Sequence, residues 1–293
     1  MTEHMTQLTP WLWVAPSRSL HYNSGAIVSA GQACLIDPGL HPDEIAALAA
    51  LIVDQGAVLQ TIVLTHSHWD HILGPEHLPS ARIVTQVNYP AVVQRYAAGI
   101  SQMVVQWEQK CQLQREQPFV IPMPDETFTE ITTLQIGDLA CQLAAAPGHA
   151  TDQLMLCHPE SGVLWAADIL SDIEIPFVSD SLAAYERTLA KLSNWNIRIL
   201  VPGHGAATSD PNEIKSRIVR DRAYLAELRA HVEQALRDDL TIEQTQARCA
   251  NIAYHNHSEN EEPHRLNVES VYLELGGIGD STRMGWSKED WGK

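Results

Sequence analysis

Apolar and polar positions along the first 200 or so residues fall into short blocks separated by turn residues. Trp11 to Ala15, Gly25 to Ser29 and Ala33 to Ile36 read as strands, the last closed by the turn Asp37-Pro38-Gly39. Pro42, Asp43 and Glu44 then open a helix whose apolar positions Ile45, Leu48 and Ile52 recur at helical spacing. Leu59 to Leu64 is largely apolar with β-branched residues, the pattern of a buried strand, and runs directly into Thr65-His66-Ser67-His68-Trp69-Asp70-His71. After a strand at Arg82 to Thr85, residues 88–117 form a glutamine-rich helical stretch that Pro118, Pro122 and Pro124 end. Strands follow around Leu139 to Ala145, Leu154 to His158 and Val163 to Ala166, then a helix over 183–192 and a strand over 198–201. Asp210-Pro211-Asn212-Glu213 is a helix start, and Ile214, Ile218, Leu225, Leu228, Val232 and Leu236 continue one apolar face. The expected organisation is a domain of mixed strands and helices over residues 1–210 and a mostly helical C-terminal region over 211–293.

Charge narrows the partners. The chain carries 36 acidic against 19 basic side chains, a net charge of −17. That argues against nucleic acid and against anionic membranes as partners, and for a small-molecule substrate. No apolar run is long enough to span a bilayer, and the first residues lack the basic start and apolar core of a signal peptide, so a cytoplasmic location is expected. Five scattered cysteines make neither a disulfide framework nor a zinc ribbon and read as small core hydrophobes.

Histidine, with 14 copies, carries the chemistry. His66-x-His68-x-Asp70-His71 places four metal-ligand side chains in six residues just past a buried strand. Residues two apart in an extended segment point the same way, so His66 and His68 can share one ion, while Asp70 and His71 can face a second as the chain turns. His149 in Pro147-Gly148-His149, Asp168 after Val163 to Ala167, and His204 in Gly203-His204-Gly205 each follow a strand. Singly, each reads as a turn residue; together, behind the four-ligand motif, they read as ligands.

These motifs, with Leu35-Ile36-Asp37-Pro38-Gly39 ahead of them, are in the order of the metallo-β-lactamase-fold hydrolases, which this sequence resembles over about residues 11–210. The resemblance implies an α/β fold: an αβ/βα sandwich of two mixed sheets with outer helices. It also implies a binuclear metal centre, with His66, His68 and His149 on one ion, Asp70, His71 and His204 on the other, and Asp168 bridging. Asp37 would support the ligand loop from behind. Zinc is favoured by a nitrogen and carboxylate donor set, and iron or manganese also fits. Asp70 would be the catalytic group, orienting a hydroxide that bridges the two ions and attacks the substrate.

A bridging aspartate at 168 makes the ligand set similar to that of glyoxalase II and lactonases, implying hydrolysis of an ester, thioester or lactone. The glutathione-binding pattern of the first and the lactonase tyrosine close behind the bridging aspartate are both missing. A mononuclear iron sulfur-dioxygenase and a β-lactamase-like amide hydrolase are the alternatives. Tyr22, His255 and His257 are candidate substrate contacts, although the cluster Tyr254 to His257 with His264 and Arg265 reads first as a solvated loop. Residues 100–117 read equally as a lid over the metal cleft or as a helix packed on the sheet or on a second subunit of a homodimer.

Overall fold

The computed structural model describes residues 5–115 and 117–278. Glu116 of the 88–117 segment and residues 279–293 of the C-terminal region lie outside the described residues. The contacts divide the chain into two units: the first holds the chain up to residue 145 together with 152–167, and the second holds 146–151 and the chain from 168 onward. The expected boundary at residue 210 thus falls inside the second unit.

In the first unit, β1 (Thr6–Thr9), β2 (Leu12–Pro16), β3 (Asn23–Ser29) and β4 (Gln32–Ile36) pair antiparallel in chain order. Helix α1 (Pro42–Asp54) carries the chain back, so that β5 (Val58–Val63) pairs parallel with β4. Its first turn suits a helix start, with proline at the beginning and Asp43 and Glu44 against the positive end of the helix dipole. β6 (Arg82–Gln86), α2 (Tyr89–Cys111) and β7 (Glu126–Phe128) complete the parallel half of a seven-stranded sheet. A second sheet follows, in which β8 (Ile131–Ile136), β9 (Leu139–Ala145), β10 (Leu154–His158) and β11 (Val163–Ala167) are antiparallel neighbours. β10 and β11 are buried throughout, which is why their sequences read as unbroken apolar runs.

The two sheets meet where a side chain is missing. A Cβ on Gly25 of β3 would lie 2.7 Å from the ring of Trp165 on β11, and Trp165 is wholly buried. The glycine is therefore the slot that admits the indole.

The second unit holds α3 (Leu182–Leu192), β12 (Ile199–Pro202), α4 (Pro211–Arg237), α5 (Ile242–Cys249) and α6 (His257–Glu274). Asp210 caps α4 by accepting from the Asn212 amide at 2.9 Å, and a capping box of Thr241 and Gln244 starts α5. The apolar face of α4 is interrupted by two buried charges, Arg217 and Asp221. Arg217 donates to the carbonyls of Leu170 and Ala206 and to Glu213.

Three differences from the sequence reading have plain causes. β1 and β7 are short edge segments with little apolar content, and β8 alternates over only six residues behind a proline-rich stretch. Helix α6 opens on a charged run with Pro263 inside it, so no apolar stripe announces it. His264 consequently lies not in a solvated loop but buried on α6, bonded to the Tyr224 hydroxyl at 2.8 Å and the Cys249 carbonyl at 3.0 Å. Four of the five cysteines are buried and all are free, in keeping with core hydrophobes. Among the described residues no helix is long and apolar enough to cross a membrane.

Two expectations follow. Gly25→Val drives two methyl groups into the Trp165 ring and should destabilise by about 1–3 kcal/mol, read from the urea midpoint. Burial pushes the Asp221 carboxyl up to about 7, against the opposing pull of Arg220 and Arg217. Because the folded state then holds a proton that the unfolded chain has released, stability should fall as pH rises from roughly 4 toward 7. Asp221→Asn should flatten that slope when urea midpoints are compared at several pH values across this window.

Candidate metal centre

In the first unit, the ligand loop leaves β5 at Leu64 and turns through a short 3₁₀ segment, Trp69–His71. Asp37, at the end of β4, stands behind it in the left-handed conformation, φ +43°, which aspartate tolerates better than most residues. Its carboxylate is the hub of the loop. Oδ1 accepts from the Thr65 amide at 2.7 Å, and Oδ2 from the Thr65 hydroxyl at 2.6 Å and from His71 Nδ1 at 2.9 Å. Burial pushes this carboxyl up from its usual range, and the His71 ring and the Thr65 and His71 donors pull against that.

These bonds fix the ring tautomers. Thr65 has one hydroxyl proton and spends it on Asp37, so toward His66 Nδ1, 3.1 Å away, the hydroxyl accepts. His66 and His71 therefore both carry their proton on Nδ1 and present the Nε2 lone pair. His66, His68 and His71 are all buried, with the His66 ring centre 4.4 Å from that of His68 and 4.1 Å from that of His71. Asp70 Oδ2 lies 3.6 Å from His71 Nε2, longer than a charge-assisted hydrogen bond. Nitrogen and carboxylate donors gathered in this way suit a divalent cation of zinc type.

Tyr22 sits on the same hub. It is fully buried, donates its hydroxyl to the Asp37 carbonyl at 2.9 Å, and sets its ring edge-on to His71. It is thus a support of the ligand loop, not the substrate contact expected from its place in the sequence. Helix α2 packs on the loop through Trp107, whose ring centre is 5.3 Å from both Trp69 and His41. Within the first unit residues 100–111 of this segment belong to a packed helix.

In the second unit, His149, Asp168 and His204 converge from three separate turns. Asp168 Oδ2 is 3.5 Å from His149 Nε2 and 3.6 Å from His204 Nε2, so one carboxylate oxygen faces two imidazole nitrogens. His149 Nδ1 donates to the Phe177 carbonyl at 3.0 Å, which again reserves Nε2. Gly148, at φ +136°, lets the turn lie against α3, where a Cβ would be 2.3 Å from the Tyr185 backbone. Thr188 of α3 donates to the Pro147 carbonyl at 2.8 Å, and the Glu174 carboxylate approaches His204 Nδ1 at 3.8 Å.

His255 is half-buried, and burial together with the nearby Arg220 guanidinium holds its ring below the ordinary histidine range. His257 is exposed and lies against Tyr254, ring centres 4.1 Å apart. Thr65, Phe177 and Glu174 escaped the sequence reading. Thr65 lies at the head of the histidine motif and is recognisable as a hydroxyl beside two candidate ligand histidines, whereas a backbone carbonyl leaves no mark in a sequence.

Comparison with known proteins agrees with this architecture. The metallo-β-lactamase superfamily model matches residues 19–204. The chain is 27% identical over 191 residues to a type 2 metallo-β-lactamase of Bacteroides fragilis, covering 62% of this chain and 68% of that protein. It is 25% identical over 186 residues to the atrochrysone carboxyl ACP thioesterase of Aspergillus fumigatus, covering 62% of this chain and 51% of the thioesterase. Among solved structures it is similar to a metallo-β-lactamase family protein of Thermus thermophilus, with TM-score 0.66, 21% identity, and 93% and 96% of the two chains covered. It also resembles the inverting sec-alkylsulfatase Pisa1 of Pseudomonas sp., with TM-score 0.69, 15% identity, and 97% and 52% covered. The chain spans about half the length of the thioesterase and of the alkylsulfatase. With two sheets flanked by helices, a His/Asp ligand set at strand ends and a family match over most of its length, the chain belongs to the metallo-β-lactamase superfamily.

Proposed function

We propose that the protein is a binuclear metal-dependent hydrolase of a small ester, thioester or lactone. His66, His68 and His149 would hold one ion, Asp70, His71 and His204 the second, and Asp168 both. The observation that carries this reading is the Asp168 carboxylate, one oxygen of which faces the Nε2 atoms of both His149 and His204. Two ions at such a donor set supply Lewis acidity and a water acidic enough to attack at neutral pH.

The chain's own residues do the rest. Asp37 and Thr65 keep the His66 and His71 rings in the tautomer that leaves Nε2 to coordinate, and the Phe177 carbonyl does so for His149. Asp70 lies beside His71 on the 3₁₀ turn, where its carboxylate can orient the attacking water and take up its proton. A net charge of −17 disfavours polyanionic substrates. The thioesterase among the relatives supports acyl-transfer chemistry, and zinc is the metal that best suits the donors.

Elemental analysis of protein purified without chelator should find about two ions per chain. Hydrolysis of an ester, thioester and lactone panel should disappear with chelation and return with zinc, and the thermal midpoint should fall on metal removal, since metal binds the folded state. A single iron per chain, with thiol oxidation in place of hydrolysis, would overturn the proposal, and turnover confined to β-lactams would move it to amide hydrolysis.

Asp168→Ala should keep the fold, since the carboxylate packs little apolar surface. It should cost more than the roughly 10–100-fold in metal affinity typical of an outer hydrogen-bond partner. Wild-type turnover by this variant, at wild-type metal content, would remove Asp168 from the centre.

A further inference from the structure

Between Asp168 and α3 the chain runs through residues 171–180 without helix or strand. Ser171, Ile175 and Val178 are nonetheless buried. Buried irregular backbone has to find hydrogen-bond partners outside regular structure. Here the partners are the asparagine side chains of α6 and its N-cap. Asn256 donates to the Ile173 carbonyl at 2.9 Å, and Asn260 donates to the same carbonyl at 2.8 Å while accepting from the Ile175 amide at 3.2 Å. Asn267, fully buried, accepts from the Val178 amide at 2.7 Å and donates to the Pro176 carbonyl at 2.7 Å. Further along, Glu274 accepts from Ser181, Leu182 and Ala183 at the start of α3.

One residue is bracketed by a single amide on both sides. Asn267 grips the backbone immediately before and after Phe177, and the Phe177 carbonyl is the acceptor for His149 Nδ1. The same strap holds the His149 turn elsewhere. The Ser179 hydroxyl donates to the His149 carbonyl, the Asp180 and Ser181 amides to the Gly148 carbonyl, and the Thr151 hydroxyl to Asp180.

We infer that Asn267 of α6 is a positioning residue for the metal ligand His149, holding the Phe177 carbonyl where it fixes the imidazole's tautomer and direction. The inference rests on the reading of His149 as a ligand. A helix some 118 positions further along the chain, outside the region matched by the family, thereby sets the geometry of one side of the centre.

The test compares Asn267→Ala and Asn267→Asp with Tyr272→Phe. The Tyr272 hydroxyl on α6 donates to the Leu240 carbonyl at 2.9 Å and to neither Asn267 nor the strap, so its loss loosens α6 without touching Asn267 or Phe177. Zinc affinity is measured by competition with a chromophoric chelator, and the His149 tautomer in metal-free protein by nitrogen NMR of the imidazole. Asn267→Ala should bind its weaker zinc roughly 10–100-fold less tightly, the effect typical of losing an outer partner of a ligand histidine. Asn267→Asp keeps the acceptor for the Val178 amide and loses the donor to Pro176, and should fall between. Both should weaken the Nδ1–H signature of His149, while Tyr272→Phe lowers the thermal midpoint and leaves zinc affinity and tautomer as in the wild type. Wild-type affinity and tautomer in both Asn267 variants would overturn the inference, as would an equal loss of affinity in Tyr272→Phe. Should the alanine variant fail to fold, the aspartate variant carries the comparison. Should the wild type bind no zinc, the proposed function falls, and the metal-free tautomer still decides whether Asn267 positions His149.

Discussion

A histidine coordinates through one lone pair, and which of its two nitrogens offers it depends on where the other nitrogen's proton goes. That constraint organises both units. In the first, the buried Asp37 carboxylate accepts from His71 and Thr65, and through the Thr65 hydroxyl it also sets His66. In the second, a backbone carbonyl does the same for His149. Each ring is left presenting Nε2 by a partner already in place.

Committing a ring in this way requires its partner to be held still. Asp37 is held by four groups at once: the Thr65 amide and hydroxyl, the His71 ring and the Tyr22 hydroxyl on its carbonyl. Burying the carboxylate is costly, and the three donors to it from Thr65 and His71 are what make it tolerable. The Phe177 carbonyl sits on irregular backbone and borrows its rigidity from Asn267 of α6. The polar residues that interrupt the apolar faces of the C-terminal helices, Arg217 on α4 and the asparagines on α6, therefore have a common task. They satisfy the backbone of the segments that carry ligands or lie beside them.

The strand ends matter for the same reason. Asp37 after β4 and Ala167 at the end of β11 both adopt positive φ, +43° and +52°, so the chain turns sharply where the regular ladder stops. A sheet edge offers stiff support, and an abrupt turn places the next side chain clear of the ladder. The proteins this chain is similar to include a β-lactamase, a thioesterase and an alkylsulfatase, in keeping with one fold hosting several chemistries.

Most of the strands, α1, α3, the start of α4 and every proposed ligand were legible in the sequence, because each rests on local information. Buried strands read as apolar runs, helix starts as Pro with acidic residues or an Asp cap, and the ligands as a dense histidine motif followed by single residues just past apolar strands. What stayed hidden depends on contacts between distant positions. Nothing near Tyr22 marks it as the partner of an aspartate fifteen residues on. Helix α6 has no apolar stripe, since its buried face includes Asn260, His264 and Asn267, polar groups that become intelligible only when their partners on residues 173–178 and α4 are in place. The sequence by itself determined which side chains could bind metal, because that is a property of side-chain type. Which nitrogen each ring presents was decided by tertiary structure alone, because it depends on a proton shared with a backbone or carboxylate oxygen brought from elsewhere in the chain.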